Sequence, residues 1–195
     1  AVFAQYAGAL GRLRVEASLR TDDNQQFGTH TTGGVGLAWP LTAGIDLIAQ
    51  YGTGFKSPTF NELYYPFFGN PMLEPEQSRS TELALQGRAQ QLSWRVSAFE
   101  TRVKDLVGFD SSFMPANLDS ARIRGLESRA DLHLGPWRAS VAFTLLDPVN
   151  QSAGAGLGNV LPRRVRAGGH LDIDREFQRF SLGARWVAEG ARFDD

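Results

Sequence analysis

A chain of 195 residues, 42% apolar and 21% charged, is ordinary for one folded domain, and a formal net charge of −1 excludes the basic excess of a nucleic-acid binder. Cysteine is absent, which excludes disulfide frameworks and thiolate metal sites. No window of about 18 consecutive apolar residues occurs, so no transmembrane helix is expected, whereas membrane strands hide their apolar half by alternation and stay open as a class.

The opening segment, Ala1 to Ala7, reads as mid-strand, with neither the basic flank nor the apolar run of a targeting sequence. The chain is therefore expected to start inside a longer protein. After a turn at residues 8–11, Leu13, Val15, Ala17 and Leu19 alternate with Arg14, Glu16, Ser18 and Arg20, the period of a strand with one apolar and one charged face. Residues 21–31 are polar and read as a loop. Thr32–Trp39 and Ile45–Tyr51 form the next hairpin, with Trp39 and Tyr51 expected at opposite strand ends, where an interfacial aromatic girdle belongs.

Residues 54–82 hold four of the nine prolines (Pro58, Pro66, Pro71, Pro75) and six aromatic rings, so this stretch is expected to be neither a helix nor a paired strand along its length. Ordered loops longer than about 12–15 residues are usually functional. Beyond it, Thr81, Leu83 and Leu85 oppose Glu82, Ala84 and Gln86. Leu92 to Asp105 alternates again, and residues 106–118 read as a polar loop. In the following strand Leu126, Ala130 and Leu132 oppose Glu127, Arg129, Asp131 and His133. After Gly135-Pro136, Trp137, Ala139, Val141, Phe143 and Leu145 oppose Arg138, Ser140, Ala142 and Thr144. Residues 147–161 read as a long Gly/Asn/Ser loop, and two more strands, over 164–173 and 179–188, close the chain around a turn at 174–177.

These connections alternate short and long. Outer-membrane barrels have that parity, with short turns on one rim and long loops on the other, whereas a soluble β-sandwich has no reason to keep it. The expected fold is all-β: an antiparallel up-and-down transmembrane β-barrel with about ten strands present. Apolar faces are expected to meet lipid, and Arg, Glu, Asp and His to meet a polar lumen.

A family resemblance rests on Phe55-x-Ser57-Pro58, Glu62-Leu63-Tyr64, Gly69-Asn70-Pro71, Leu73-x-Pro75-Glu76 and Ser78-x-Ser80-x-Glu82. In joint order and spacing these resemble the signature of TonB-dependent outer-membrane receptors. Arg122 to Glu127 and Leu161 to Arg164 resemble further strand motifs of that family, and Thr21 to Gly28 resembles its cobalamin (vitamin B12) branch. The resemblance implies a 22-stranded barrel with an internal plug, of which residues 1–195 would be a barrel segment lacking the plug and the terminal strands. It further implies the outer membrane of a Gram-negative bacterium and energy coupling to the TonB complex through the plug. The implied task is import of cobalamin or a related corrinoid, with ferric siderophore or haem as the alternative, without a cofactor and without enzymatic chemistry.

The candidate ligand contacts are Phe55, Tyr64, Tyr65, Phe67, Phe68 and Asn70, whose rings and amide suit a large planar ligand edged by amides, together with Arg192 past the last strand. The signature positions Phe55, Pro58, Tyr64 and Pro75 equally suit packing of the loop on itself and on the rim. A different class of function, a ten-stranded barrel protease, needs paired acids and a histidine at the long-loop rim. There the loop acids Asp22, Asp23, Asp110 and Asp119 have only His30 near them. Asp22 and Asp23 would supply calcium with two ligands at most, fewer than it takes, and His170 with Asp172 reads as ordinary lumen charge. Neither a catalytic nor a metal site is expected.

Overall fold

The computed structural model describes residues 1–110, 112–152, 157–161 and 164–192. Ten strands pair in chain order into one antiparallel sheet: β1 (Val2–Leu10), β2 (Leu13–Asn24), β3 (Gly28–Thr42), β4 (Ile45–Lys56), β5 (Glu76–Ala89), β6 (Leu92–Phe109), β7 (Pro115–Leu134), β8 (Trp137–Asn150), β9 (Ala167–Glu176) and β10 (Ser181–Glu189). One helical turn, α1 (Phe60–Tyr64), lies between β4 and β5. The sheet is not closed on itself, since β1 pairs with β2 and β10 with β9.

Several strands run further than their apolar alternation does. The stretch expected as a loop over 21–31 is paired ladder instead, with Thr21 opposite Thr31, Asp22 opposite His30 and Asn24 opposite Gly28, leaving a bend of only Gln25 to Phe27. Both faces are polar there because this part of the hairpin stands beyond the apolar band. Likewise β6 and β7 extend to Phe109 and from Pro115, shortening the expected 106–118 loop to a tight connection. Tyr51 is mid-strand rather than terminal, because β4 continues to Lys56. The last turn falls after Glu176, later than the alternation indicated. The Leu161 to Arg164 motif lies partly outside the described residues.

Because the side-chain period is two, register decides sidedness. One row across five strands reads Leu83, Ala98, Leu126, Leu145 and Ala167. Leu83, Leu126 and Val141 are each about half exposed, at 55%, 53% and 46%. Among the described residues no second layer covers this face, so the soluble sandwich does not apply. A water-soluble protein rarely exposes apolar area on that scale, whereas hydrocarbon accepts it without cost.

The opposite face is polar and concave. Gln5 on β1 and Glu127 on β7 line one hollow together with Glu16, Gln50, Glu82 and Thr101. Nearer the short-turn rim, Arg14 bonds Asp46 at 2.6 Å, Gln86 donates to Asp46 at 3.3 Å, and Arg95 pairs with Glu82. Trp39 and Trp137 sit by the short turns, with the Arg12 and Arg175 guanidiniums 5.9 Å and 4.9 Å from their ring centroids. Such rings and cations mark a membrane interface.

Sidedness departs from the expected rule most clearly on β5 to β7. Arg79, Glu100, Arg102, Arg122 and Arg124 share the face of Leu83, Ala98 and Leu126, not the lumen face. They stand above the Leu83, Ala98 and Leu126 row, from the middle of their strands upward.

Candidate ligand-binding rim

The 57–75 connection is built as an ordered cap over the ends of β4 to β7. Thr59 is the N-cap of α1: its hydroxyl accepts from Glu62 N at 3.3 Å, and the Glu62 carboxylate accepts from Thr59 N at 2.6 Å. This reciprocal capping box explains how five residues between Pro58 and Pro66 hold a helical turn. The expectation of no helix along the length stands, but this turn was missed.

α1 turns Leu63 inward to 4% exposure, as Leu73 is at 3%, and leaves Phe60, Tyr64 and Tyr65 facing out. A tight bend follows. Phe68 N and Gly69 N both donate to Tyr65 O, at 3.1 Å and 2.7 Å, and Phe67 takes a left-handed φ of 62°. A non-glycine residue in that region is held there by its surroundings, and here the bend throws the Phe67 ring fully into the open.

Two asparagines fasten this cap to β7. Asn70 Nδ2 donates to Pro115 O at 2.9 Å while Asn70 Oδ1 accepts from Met72 N at 3.0 Å. Asn117 Oδ1 accepts from Glu74 N at 2.8 Å, and its Nδ2 donates to Glu74 O and Asp105 O. Asn117 was not singled out from sequence, since nothing local distinguishes it from other loop polar residues. At the loop's exit, Glu76 Oε1 bonds Lys56 Nζ at 3.0 Å and accepts from Val107 N at 3.1 Å.

The candidate residues thus divide. Tyr64, Tyr65 and Phe67 are presented outward, with Phe60 tilted against Tyr64 at 5.3 Å. Phe68 is half-buried between Tyr65 and Phe109, at 6.3 Å and 5.9 Å. Phe55 stacks on His30, ring centroids 3.7 Å apart. Asn70 spends its amide on Pro115 of β7 and on Met72 of the loop. Arg192 is exposed just beyond β10 on the same rim, but five strands from β5, about 24 Å across the sheet at ~4.8 Å per strand.

The protease constellation is not assembled among the described residues. Asp22 is held bidentately by Arg20 at 2.7 Å, Asp23 accepts from Thr29, and Asp110 accepts from Ser112 N and Met114 N. The His30 ring nitrogen meets Phe27 O at 2.9 Å, and the Asp119 side chain lies outside the described residues. Asp172 is paired with Arg185, with His170 3.7 Å away.

A sheet with a lipid-facing apolar side, a concave ionic side and an elaborated loop on one rim is the wall of an outer-membrane β-barrel. The TonB-dependent-receptor-like β-barrel family model matches residues 1–195, and the chain belongs to that family. Its members are outer-membrane proteins of Gram-negative bacteria and are receptors, not enzymes. The chain is 33% identical over 188 residues to the vitamin B12 transporter BtuB of Photobacterium profundum, covering 92% of this chain and 30% of that protein. In fold it is similar to the copper transporter OprC (20% identical, TM-score 0.76, 95% of this chain and 34% of that one). It is also similar to the siderophore receptor PirA from Pseudomonas aeruginosa (17% identical, TM-score 0.78, 96% and 36%). The chain therefore spans about a third of the length of the relatives it matches.

Proposed function

We propose that residues 1–195 are a barrel segment of a TonB-dependent uptake receptor, and that the ligand is cobalamin or a related corrinoid. The observation that carries the ligand is the 33% identity over 188 residues to a vitamin B12 transporter. Likeness to copper and siderophore receptors at 20% identity or less speaks to fold alone.

In this reading the 57–75 cap captures the ligand at the cell surface. Tyr65 and Phe67 present their faces to the corrin ring, with Tyr64 beside them, and amide groups at the rim meet its periphery. Phe55, Phe68 and Asn70 hold the cap in shape, and Arg192 contacts an amide or phosphate oxygen from further round the rim. The plug and the contact with TonB belong to the remainder of the receptor, and no bond of the ligand is made or broken.

Binding of cyanocobalamin and of a ferric siderophore to the full-length receptor tests this. The expected result is saturable cyanocobalamin binding, weakened at least about tenfold (~1.4 kcal/mol) by Tyr65→Ala with Phe67→Ala. Siderophore binding without cyanocobalamin binding would overturn the ligand assignment and leave the receptor class standing.

A further inference from the structure

The lipid-side face carries an unusual row. Arg79 on β5, Arg102 on β6 and Arg122 on β7 stand in direct register, Arg79 opposite Arg102 and Arg102 opposite Arg122. Like charges directly opposite across an antiparallel pair repel, and here three are in line. The acids nearby neutralise them only in part. Glu100 is shared between Arg102 Nε at 2.7 Å and Arg124 Nε at 2.5 Å, and Asp147 is 3.8 Å from Arg122. Arg122 Nε is buried without a hydrogen-bond partner, and Arg79 has no carboxylate partner among the described residues.

Height places this row. Arg102 is ten residues above Leu92, the start of β6 at the short-turn rim. At about 3.3 Å per residue and a tilt near 40°, that is ~25 Å, the top of an apolar band about 25 Å tall. The row therefore sits where hydrocarbon meets the headgroups of the outward-facing leaflet. Directly below it on the same face opens a groove of about 830 Å³, lined by Leu83, Ala98, Leu126 and Leu145, with Arg124 and Arg166 beside Glu100 and Asp147 at its charged end. Ala98 is in register between Leu83 and Leu126, so its small side chain leaves a trough between two leucine ridges.

We propose that this is a binding site for a phosphate-bearing lipid of the outward-facing leaflet. The phosphate lies on Arg79, Arg102 and Arg122, and an acyl chain runs down the trough over Ala98. Guanidinium forks match phosphate oxygens bidentately, and an anion laid on three aligned cations converts their repulsion into a shared attraction. The occupant comes from the bilayer because this face looks onto nothing else. Five arginines against Glu100 and Asp147 leave the patch cationic. Interfacial arginines that merely reach up to water are the competing account, and they would hold no particular lipid.

The test uses the full-length receptor, stripped of lipid in a neutral detergent and examined by native mass spectrometry. Dimyristoyl phosphatidic acid, the phosphatidylcholine of the same chains, and inorganic phosphate are the probes. The site predicts at least tenfold preference for phosphatidic acid over phosphatidylcholine and no retention of inorganic phosphate alone. The preference is expected to vanish in Arg79→Gln/Arg102→Gln/Arg122→Gln and to fall severalfold in Arg102→Gln alone, which carries the test if the triple variant loses its heat-modifiable mobility. Equal retention of both lipids, an unchanged preference in the variants, or inorganic phosphate held as well as phosphatidic acid would each overturn the proposal.

Discussion

Asn70 and Pro115, 45 residues apart in the chain, are joined by a single hydrogen bond from the asparagine amide to the proline carbonyl oxygen at 2.9 Å. Pro115 is fully buried at the start of β7, so its oxygen has no ready exchange with water. Removing the donor by Asn70→Ala leaves that acceptor unpaired, at about 1–3 kcal/mol. The barrel should fold as before, while amide exchange at Met72 and Leu73 accelerates roughly tenfold or more by mass spectrometry. Unchanged protection there would mean that Asn117 alone secures the cap.

Gly69 tests the same cap through shape. A Cβ at this position would stand 2.6 Å from Leu63 O and 2.6 Å from Tyr64 N, both backbone atoms with nowhere to go. Gly69→Ala is therefore expected to displace α1 and lower ligand affinity at least about tenfold (~1.4 kcal/mol) in a binding titration, with heat-modifiable mobility intact. Wild-type affinity in that variant would show that the cap's conformation does not matter to capture.

A milder lesion separates order from identity. Thr59→Ala removes one half of the capping box and should cost α1 about 1 kcal/mol. Proteolysis between residues 57 and 66 is the readout, and Thr59→Ser should restore resistance.

Much of the wall was legible because alternation is a direct consequence of the pleat. Leu13 to Arg20 and Trp137 to Leu145 specify a strand and both its faces. Residues 21–31 misled because paired strands that clear the bilayer have water on both sides, and two polar faces look like a loop. In α1 the signal was present as Thr59-x-x-Glu62 but was masked by the flanking prolines. The arginine row needed only the parity of Leu126 carried four residues back to Arg122. What blocked it was the assumption that every charge faces the lumen. Asn117 could not have been found, since its role is set by where β6 delivers Asp105 and the 57–75 connection delivers Glu74.

Sidedness also sets the tolerance to charge. Val141, 46% exposed on the apolar face and four residues above Trp137 at the short-turn end of β8, lies about 10 Å up an apolar band about 25 Å tall and should lose about 2–4 kcal/mol of stability in the bilayer as Val141→Arg. Its neighbour Ala142, on the ionic face opposite His170, should accept Ala142→Arg at a small fraction of that in the same urea-unfolding measurement.

The most direct test reads the two faces of one strand. Single cysteines at Ala139, Ser140, Val141, Ala142, Phe143 and Thr144 of the full-length receptor are labelled with an environment-sensitive dye in vesicles carrying a quencher on the lipid chains. Strong quenching is predicted at Ala139, Val141 and Phe143, and weak quenching at Ser140, Ala142 and Thr144. Uniform quenching along β8, or the opposite alternation, would contradict a wall with lipid on one side and a watery bore on the other.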